Sequence, residues 1–492
     1  MRRLAPGFAV ASGLVLALSS AIYASVGPVN VASGPSPYAS CTADAGTGTN
    51  YVNAEVEPQV AVNPANHANI IATWQQDRWS NGGAHGLVAG YSFDGGTTWG
   101  ETALPFSRCA PDGAPYNRAS DPWVSIGPDG TAYANAISFE AVSNRNGVLA
   151  ATSSDGGKHW TNLKTVVAYE TNGGQFSTDK NSITANPVQA GVAYSVWDTL
   201  ILKTDRPGDH PHTSAYTGPA YFSRTTDGGS TWSTPQVIFA TDQQNQTIGN
   251  IIVVDPRTGG NTLYDFTSWI VHPNSAANTQ TVAAVVKSTD GGVTWGAPVA
   301  IAQMEFVGVR DPNTGQRIRT GDIIPDPAVD PVTGQLYMVW QQAANFKRGN
   351  TKTSDDEIVI TTSTDGGQTW TAPKVINTYT GLPAFTPVVE VNSSGTVGVT
   401  YYDFRNLTPN NTTTLPTDYW FVSSSDHGAT FGNEQHVAGS FDMLTAPVAR
   451  GFFVGDYEGL AASGSAFVAC FVKANDGNTT NRTDVFVTTI TA

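Results

Sequence analysis

Charged and aromatic residues gather at the ends of predicted strands, in a chain in which only 13% of the residues are charged. Those that precede predicted strands are Arg118, Asp121, Asp179, Lys180, Arg319, Asp322, Asp326, Arg450, Asp456, Tyr457 and Glu458. Those that follow predicted strands include Gln75, Asp77, Arg78, Asp198, Asp403 and Arg405, with Trp79, Trp197, Trp269 and Tyr402 among them. Aromatic faces cover the apolar side of a sugar ring, and charged groups bind its hydroxyls. These residue types therefore predict a carbohydrate-binding surface.

A short phrase recurs six times and indicates the elements that would position this surface. Its pattern is S/T-x-D-x-G-x-T-W, and its aspartates are Asp94, Asp155, Asp227, Asp290, Asp365 and Asp426. Asp-Gly between runs that alternate apolar and polar residues predicts a tight hairpin, in which the Asp side chain accepts backbone N–H groups. Because the same aspartate recurs in all six copies of the phrase, we expect these residues to stabilise turns rather than to catalyse or to bind a metal.

Seven predicted strand pairs accompany the six phrases. The last unit ends with a strand over 484–490, and the chain stops where a seventh phrase would begin. The pattern predicts an all-β, seven-bladed β-propeller closed by a strand from about residues 30–53, with six blades as the alternative. The expected organisation is a signal peptide over 1–24, an N-terminal segment over 25–57 that contains the ring-closing strand, and one propeller over 58–492.

Composition narrows the class of protein further. The chain has 50 Gly and 29 Pro, typical of β structure with many turns, and a net charge of −15, which argues against nucleic acid and anionic membranes as partners. Residues 1–24 resemble a cleaved signal peptide, which predicts a secreted, extracellular or cell-surface protein without a membrane span; a retained membrane anchor is the alternative. Cys41 and Cys109 could pair after export, whereas Cys470 is expected to be a buried thiol. His210 and His212 give only a weak metal signal.

The repeated phrase is the Asp box, or bacterial neuraminidase repeat, and the chain resembles the sialidase (neuraminidase) superfamily over residues 92–431 and beyond. Asp boxes also occur in other glycanases, sorting receptors and assembly factors. The resemblance implies a glycan substrate and no cofactor; a structural calcium ion is compatible with it, although no run of ligands requires one.

The resemblance also implies a set of catalytic roles. An arginine trio, here Arg78, Arg319 and Arg450, would bind a substrate carboxylate, with Arg118 as a further substrate-binding residue. Tyr457 would be the nucleophile, with Glu458 or Asp326 as its partner, and Asp121 or Asp77 would be the acid. Four structural explanations of these residues stay open. Asp77 and Arg78 could form an ion pair at the rim, Asp121 and Asp326 could cap strands, and Arg319 and Arg450, each near a glycine, could brace loops. Tyr457 and Glu458 would point in opposite directions in an extended chain.

Three functions are compatible with the sequence. The first is a secreted, sialidase-like glycoside hydrolase that acts on a terminal anionic sugar. The second is a non-catalytic propeller that binds a glycan or a protein, favoured by the extra unit and by the lack of an early Phe-Arg-Ile-Pro motif. The third is a lyase, or a hydrolase of neutral sugars, on the same scaffold.

Overall fold

The structure is a computed structural model that describes residues 25–42, 46–170, 175–202, 217–272, 279–343 and 355–492. In these ranges it consists of 31 β-strands and two 3-10 turns, Pro256–Thr258 and Met443–Thr445, with no α-helix. The predicted all-β class is therefore confirmed. The predicted signal peptide, His210 and His212 lie outside the described residues. Within the described ranges, no helix has the length and apolar character needed to cross a bilayer.

The first ten strands and the last three belong to one continuous pairing pattern. These strands are β1 Ser25–Val26, β2 Asn30–Val31, β3 Asn50–Val62, β4 Ile70–Trp79, β5 Ala84–Ser92, β6 Gly100–Leu104, β7 Arg118–Ile126, β8 Ala132–Phe139, β9 Asn146–Ser153, β10 Thr161–Tyr169, β29 Gly459–Ser463, β30 Ala466–Ala474 and β31 Thr483–Thr491. Only two isolated residue pairs, Ala84 with Ala119 and Ala54 with Thr483, join the groups β3–β6, β7–β10 and β29–β31. The pattern therefore divides into three groups of strands that each follow chain order.

The strands between these groups form four separate four-stranded antiparallel sheets and one small parallel pair. The sheets contain β11 Phe176–Ala185, β12 Ala193–Ile201, β13 Ala220–Thr225 and β14 Gln236–Phe239; β15 Asn245–Asp255, β16 Thr262–Val271, β17 Gln280–Ser288 and β18 Val299–Gln303; β20 Asp326–Val329, β21 Leu336–Ala343, β22 Asp356–Ser363 and β23 Lys374–Val375; and β24 Ala384–Val391, β25 Val397–Asp403, β26 Pro416–Ser424 and β27 Gly432–Asp442. The parallel pair is β19 Ile318–Arg319 with β28 Phe452–Phe453.

The first strands of successive groups lie against one another. These inner strands are β3, β7, β11, β15, β20, β24 and β29; each contacts the next along the chain, and β29 contacts β3. The hydrophobic core is divided among the interfaces between neighbouring sheets, where apolar residues of one sheet pack on those of the next. Residues on the inner strands of distant parts of the sequence are thereby brought together.

The first and the last strands of the described residues pair with each other. Ser25 and Val26 lie opposite Thr491 and Ile490 on the last strand, and β2 pairs with the same strand farther along. The Gly27 N–H donates to the Thr489 carbonyl at 2.8 Å. The strand β3, which is the inner strand of its group, begins at Asn50, so the expected boundary between residues 57 and 58 falls inside it.

The repeated phrase forms the exposed turn that the sequence predicts. In the first copy, Asp94 Oδ1 accepts the N–H groups of Thr97 and Thr98 at 3.0 and 2.9 Å, and Oδ2 accepts the Thr98 hydroxyl at 2.6 Å. The Trp99 indole N–H donates to the Gly96 carbonyl at 3.0 Å, which fixes the ring over the turn. Hydrogen bonds from Thr98 lower the pKa of Asp94 to about 2. These bonds engage the carboxylate within its own turn.

A disulfide fixes the N-terminal segment to the first group of strands. Cys41 and Cys109 are bonded, with 5.6 Å between their Cα atoms and a sequence separation of 68. Cys470 is a buried free thiol, as expected.

Candidate functional site

β-Bulges in the inner strands direct charged side chains out of the regular alternation. The pairing register shifts between Val56 and Gln59 in β3, and the same shift occurs at the corresponding place in β7, β11, β15 and β24. Each bulge contains a residue with positive φ, and in the first three inner strands that residue is charged: Glu57 (55°), Asp121 (54°) and Lys180 (36°). A bulge re-aims a side chain, and non-glycine residues at positive φ are concentrated at functional sites. These three residues belong to a cluster that we call the inner-strand site, whose other members are Arg78, Arg319, Asp456 and Tyr457.

Tyr457 is the buried aromatic residue of this site. Its ring lies 5.3 Å from that of Trp123, centroid to centroid, and its hydroxyl has no hydrogen-bond partner among the described residues. Burial raises the pKa of Tyr457 well above its ordinary value, and the negative charges of Glu57 and Asp121 add to that effect. A buried phenol without a partner is costly, so its hydroxyl is suited to contact a bound group.

A hydrogen-bond network joins Glu57 to Asp121. The Gln75 amide donates to the Glu57 carboxyl group and, at 3.1 Å, to the Ser120 hydroxyl, which in turn donates to Asp121 Oδ1 at 2.8 Å. Burial raises the pKa of Glu57 to about 8 and, together with the neighbouring carboxylates, outweighs the opposing effect of Arg78. Burial also raises the pKa of Asp121, although the Lys180 ammonium opposes the shift. Two carboxyl groups with raised pKa values are the usual basis of acid–base catalysis near neutral pH.

Two guanidinium groups complete the inner-strand site. Arg319 binds the Asp456 carboxylate through two N–H groups, one of them at 3.0 Å, and this contact lowers the pKa of Asp456 despite its burial. The guanidinium carbons of Arg78 and Arg319 lie 5.0 and 4.3 Å from the centroid of the Phe453 ring. Burial lowers the pKa of Arg78 to about 10, so its cation is less well solvated than an exposed arginine. We use the name inner-strand site for Glu57, Arg78, Asp121, Lys180, Arg319, Asp456 and Tyr457.

Arg450, the third member of the expected trio, lies at the edge of this site. It is exposed, has a φ of 67°, and its charge helps to lower the pKa of Asp456. The three arginines thus surround Asp456, and in this structure Asp456 is the carboxylate that Arg319 binds.

The other residues expected from the sequence lie in different surroundings. Glu458 is buried beside Tyr402 and Tyr419, and its charge helps to raise the pKa of both phenols after their own burial. Asp326 accepts the Val389 N–H at 2.8 Å, and burial raises its pKa to about 8. Neither residue is placed as a partner of the Tyr457 hydroxyl.

Asp77 and Arg118 are engaged in contacts that support loops. Asp77 accepts the Ser36 hydroxyl at 2.6 Å and the Asn53 N–H at 2.8 Å, so it anchors the N-terminal segment. Arg118 donates to Asn81 Oδ1 at 2.7 Å and to the Gly82 carbonyl at 2.9 Å, and its guanidinium lies over the Trp79 ring.

Sequence reasoning assigned no role to three residues of the site: Asp456, which it noted only before a strand, and Glu57 and Lys180. Glu57 lies inside the long strand β3, where the alternation of apolar and polar residues does not distinguish it from an ordinary strand residue. Lys180 was noted before a strand, but nothing in the sequence indicated its positive φ. The informative signal is positional: both residues, with Asp121, stand two places before the residue where regular pairing resumes.

Among the residues that the structure describes, no group of three or more His, Cys, Asp or Glu side chains is placed to hold a metal ion.

Comparison with known proteins reveals similarity in fold. No protein-family model matches the chain, and no curated protein matches it by sequence. Similar solved structures include a Dyadobacter fermentans protein of unknown function, with 14% identity, a TM-score of 0.47 and coverage of 94% of this chain and 99% of that one. A Hadza microbial sialidase has 15% identity and a TM-score of 0.46, and the match covers 87% of this chain and 74% of that one. A Fusarium graminearum GH93 α-L-arabinofuranosidase has 11% identity and a TM-score of 0.46, and the match covers 90% of this chain and 96% of that one.

A sialidase and an arabinofuranosidase are thus among the solved structures to which the chain is similar, each with a TM-score of 0.46. At 11–15% identity the likeness concerns the fold alone. Conclusions about function rest on the residues of the inner-strand site.

Proposed function

We propose that this protein is a sialidase-like glycoside hydrolase that acts on a terminal anionic sugar at the inner-strand site. The observation that carries the proposal is the buried Tyr457 hydroxyl, which has no hydrogen-bond partner among the described residues. The charges of Glu57, Asp121 and Arg78 act on it, and both carboxyl groups have raised pKa values. A neutral nucleophile suits an anionic sugar, because a carboxylate nucleophile would repel the carboxylate of the substrate.

The proposed roles follow from the neighbours of Tyr457. Arg78 and Arg319 bind the carboxylate of the sugar, and Asp456 holds the Arg319 guanidinium in place. The Tyr457 hydroxyl passes its proton to Glu57 while its oxygen forms a bond to the anomeric carbon. The bond from that carbon to the leaving oxygen breaks, and this oxygen takes a proton from Asp121. Water then attacks the anomeric carbon and gives its proton to Asp121, while the departing Tyr457 oxygen takes back its proton from Glu57. Glu57 thereby has the role that the sequence suggested for Glu458 or Asp326.

We further propose that the strands form a seven-bladed propeller closed by the N-terminal segment. Support comes from the seven inner strands, which contact one another in chain order with β29 against β3, and from the pairing of β1 and β2 with β31. The channel of such a ring would be lined by the inner strands, which is where the inner-strand site lies.

We propose export from the cytosol as well. The signal-like residues 1–24 and the disulfide between Cys41 and Cys109 support it, because disulfides persist mainly in oxidising compartments.

The test is hydrolysis of a fluorogenic sialoside, beside a panel of neutral glycosides that includes an arabinofuranoside. Tyr457→Phe removes one oxygen and is expected to lower sialoside turnover about a thousandfold or more. Tyr194→Phe is the matched control, since Tyr194 is also buried but its hydroxyl accepts a bond from Asn186 away from the site. Undiminished turnover by Tyr457→Phe, or turnover of the neutral panel alone, would contradict the proposal.

A non-catalytic glycan-binding or protein-binding propeller is the second candidate. The buried state of Tyr457 and Glu57, and the prior engagement of Arg319 by Asp456, favour it. Its signature would be binding on a glycan array with no turnover of any glycoside in the panel.

A further inference from the structure

Lys180 carries a buried ammonium group that makes no hydrogen bond. Its residue is 3% exposed, and Nζ has no hydrogen-bond partner among the described residues. Within the same residues, no Asp or Glu oxygen forms an ion pair with Nζ within 4.0 Å. Burial lowers the pKa of Lys180, and the nearby charges of Asp121 and Glu57 oppose that shift without a direct contact at Nζ. The groups that touch the ammonium must therefore be sought elsewhere.

The faces of two aromatic rings surround the Lys180 ammonium. Nζ lies 3.8 Å from the centroid of the Tyr457 ring and 4.4 Å from that of the Trp123 ring. The two rings are 5.3 Å apart and inclined at 46°, so the ammonium lies in the angle between them. Aromatic faces carry negative charge and attract cations most strongly where water is excluded. The ammonium is therefore held by the ring that bears the proposed nucleophile.

We infer that Lys180 is a positioning residue that stabilises the ionised form of Tyr457. This inference rests on the proposed function, in which the Tyr457 O–H bond breaks, the proton goes to Glu57, and the electron pair stays on the phenolate oxygen. The negative charge of a phenolate spreads into its ring, and an ammonium on the ring face attracts it more strongly than it attracts the neutral phenol.

The other charges that face Tyr457 do not supply this stabilisation. Glu57 on β3, Asp121 on β7 and the adjacent Asp456 all oppose ionisation, while Arg78 on β4 favours it. Arg78 also balances Glu57, and Arg319 is engaged by Asp456. Lys180 is the cation in direct contact with the ring, and the bulge in β11 is what places it there.

The test measures ionisation at position 457 without any substrate. Tyr457 is replaced by 2,3,5-trifluorotyrosine, whose phenol is more acidic, and its titration is followed by fluorine NMR. Lys180→Met and Lys180→Gln are expected to raise the pKa of this residue by about 1 to 2, and Lys180→Arg to restore most of the difference. Lys287→Met is the control, since its ammonium lies over the Tyr264 ring. Two neutral variants of different shape guard against a failure of one to fold, which the near-ultraviolet circular dichroism reports.

A pKa unchanged in both neutral variants overturns the inference. The proposed function is tested separately by sialoside turnover. If the pKa at position 457 depends on Lys180 but no sialoside is turned over, the inference is supported and the proposed function is refuted. If sialosides are turned over but this pKa does not depend on Lys180, the inference alone is refuted.

Discussion

The contact between Arg319 and Asp456 gives the most quantitative prediction, because it joins two largely but not fully buried charges, 17% and 13% exposed, from distant parts of the chain. Arg319 belongs to β19 and Asp456 follows β28, and these short strands pair in parallel. Two opposite charges about 4 Å apart attract by roughly 4 kcal/mol at the effective dielectric constant of partly buried sites. Removing one partner leaves the other uncompensated, which typically costs about 3–5 kcal/mol. In Asp456→Asn the cost includes repulsion among Arg78, Arg319 and Arg450, since Asp456 is the acidic group that they share.

The assay is a double-mutant cycle on the free energy of unfolding in urea, with Arg319→Met, Asp456→Asn and the double variant. We expect each single variant to lose about 3 kcal/mol and the coupling energy to be about 2 kcal/mol or more. The exposed pair Arg145 and Glu170, 2.5 Å apart, is the matched control, for which the coupling should stay below about 1 kcal/mol. Equal coupling energies in the two cycles would refute the reasoning that burial gives the Arg319–Asp456 contact its strength.

Three further outcomes are expected. Replacing both Cys41 and Cys109 by alanine opens a loop spanning 68 residues and should lower stability by about 4 kcal/mol in urea unfolding, with unchanged stability as the contrary result. Burial raises the pKa of Asp326 to about 8, so the protonated side chain stabilises the fold below pH 4 and this contribution is lost as the pH rises to about 8. Asp326→Asn should therefore be more stable than the native protein by about 1–3 kcal/mol at pH 9 but not at pH 4. Glu57 must be ionised to accept a proton, so kcat/KM should rise with pH up to about 8, and a rising limb that persists in Glu57→Gln would exclude this role.

The fold was predictable because its signals are local and repeated. Each Asp box combines the residues that a tight turn requires, and the bonds of Asp94 to Thr97 and Thr98 are the ones that such turn chemistry implies. The pairs of alternating runs between the boxes become strands of antiparallel sheets.

The site was only partly predictable, because bulges and long-range contacts determine it. Arg78, Asp121, Arg319 and Tyr457 were found from residue type and from their place at strand ends. Glu57 and Lys180 are oriented by bulges, which interrupt the period-two pattern without a mark in the sequence. Tyr457 and Glu458, which directly precede β29, diverge as neighbours in an extended chain would, since one contacts Lys180 and the other lies beside Tyr402. The Asp77 carboxylate is engaged by hydrogen bonds from Ser36 and Asn53, and no local sequence pattern links these residues to Asp77.

The most direct test of the central claim is to trap the glycosyl–enzyme intermediate. The probe is a 3-fluorosialosyl fluoride, in which a good leaving group permits attack and the 3-fluorine slows the later hydrolysis. Intact-mass measurement and peptide mapping should find one sialosyl group on the phenolic oxygen of Tyr457, and Tyr457→Phe should take up none. A label on Glu458, on Asp326 or on any other residue, or turnover of the probe by Tyr457→Phe, would contradict the claim that Tyr457 is the nucleophile.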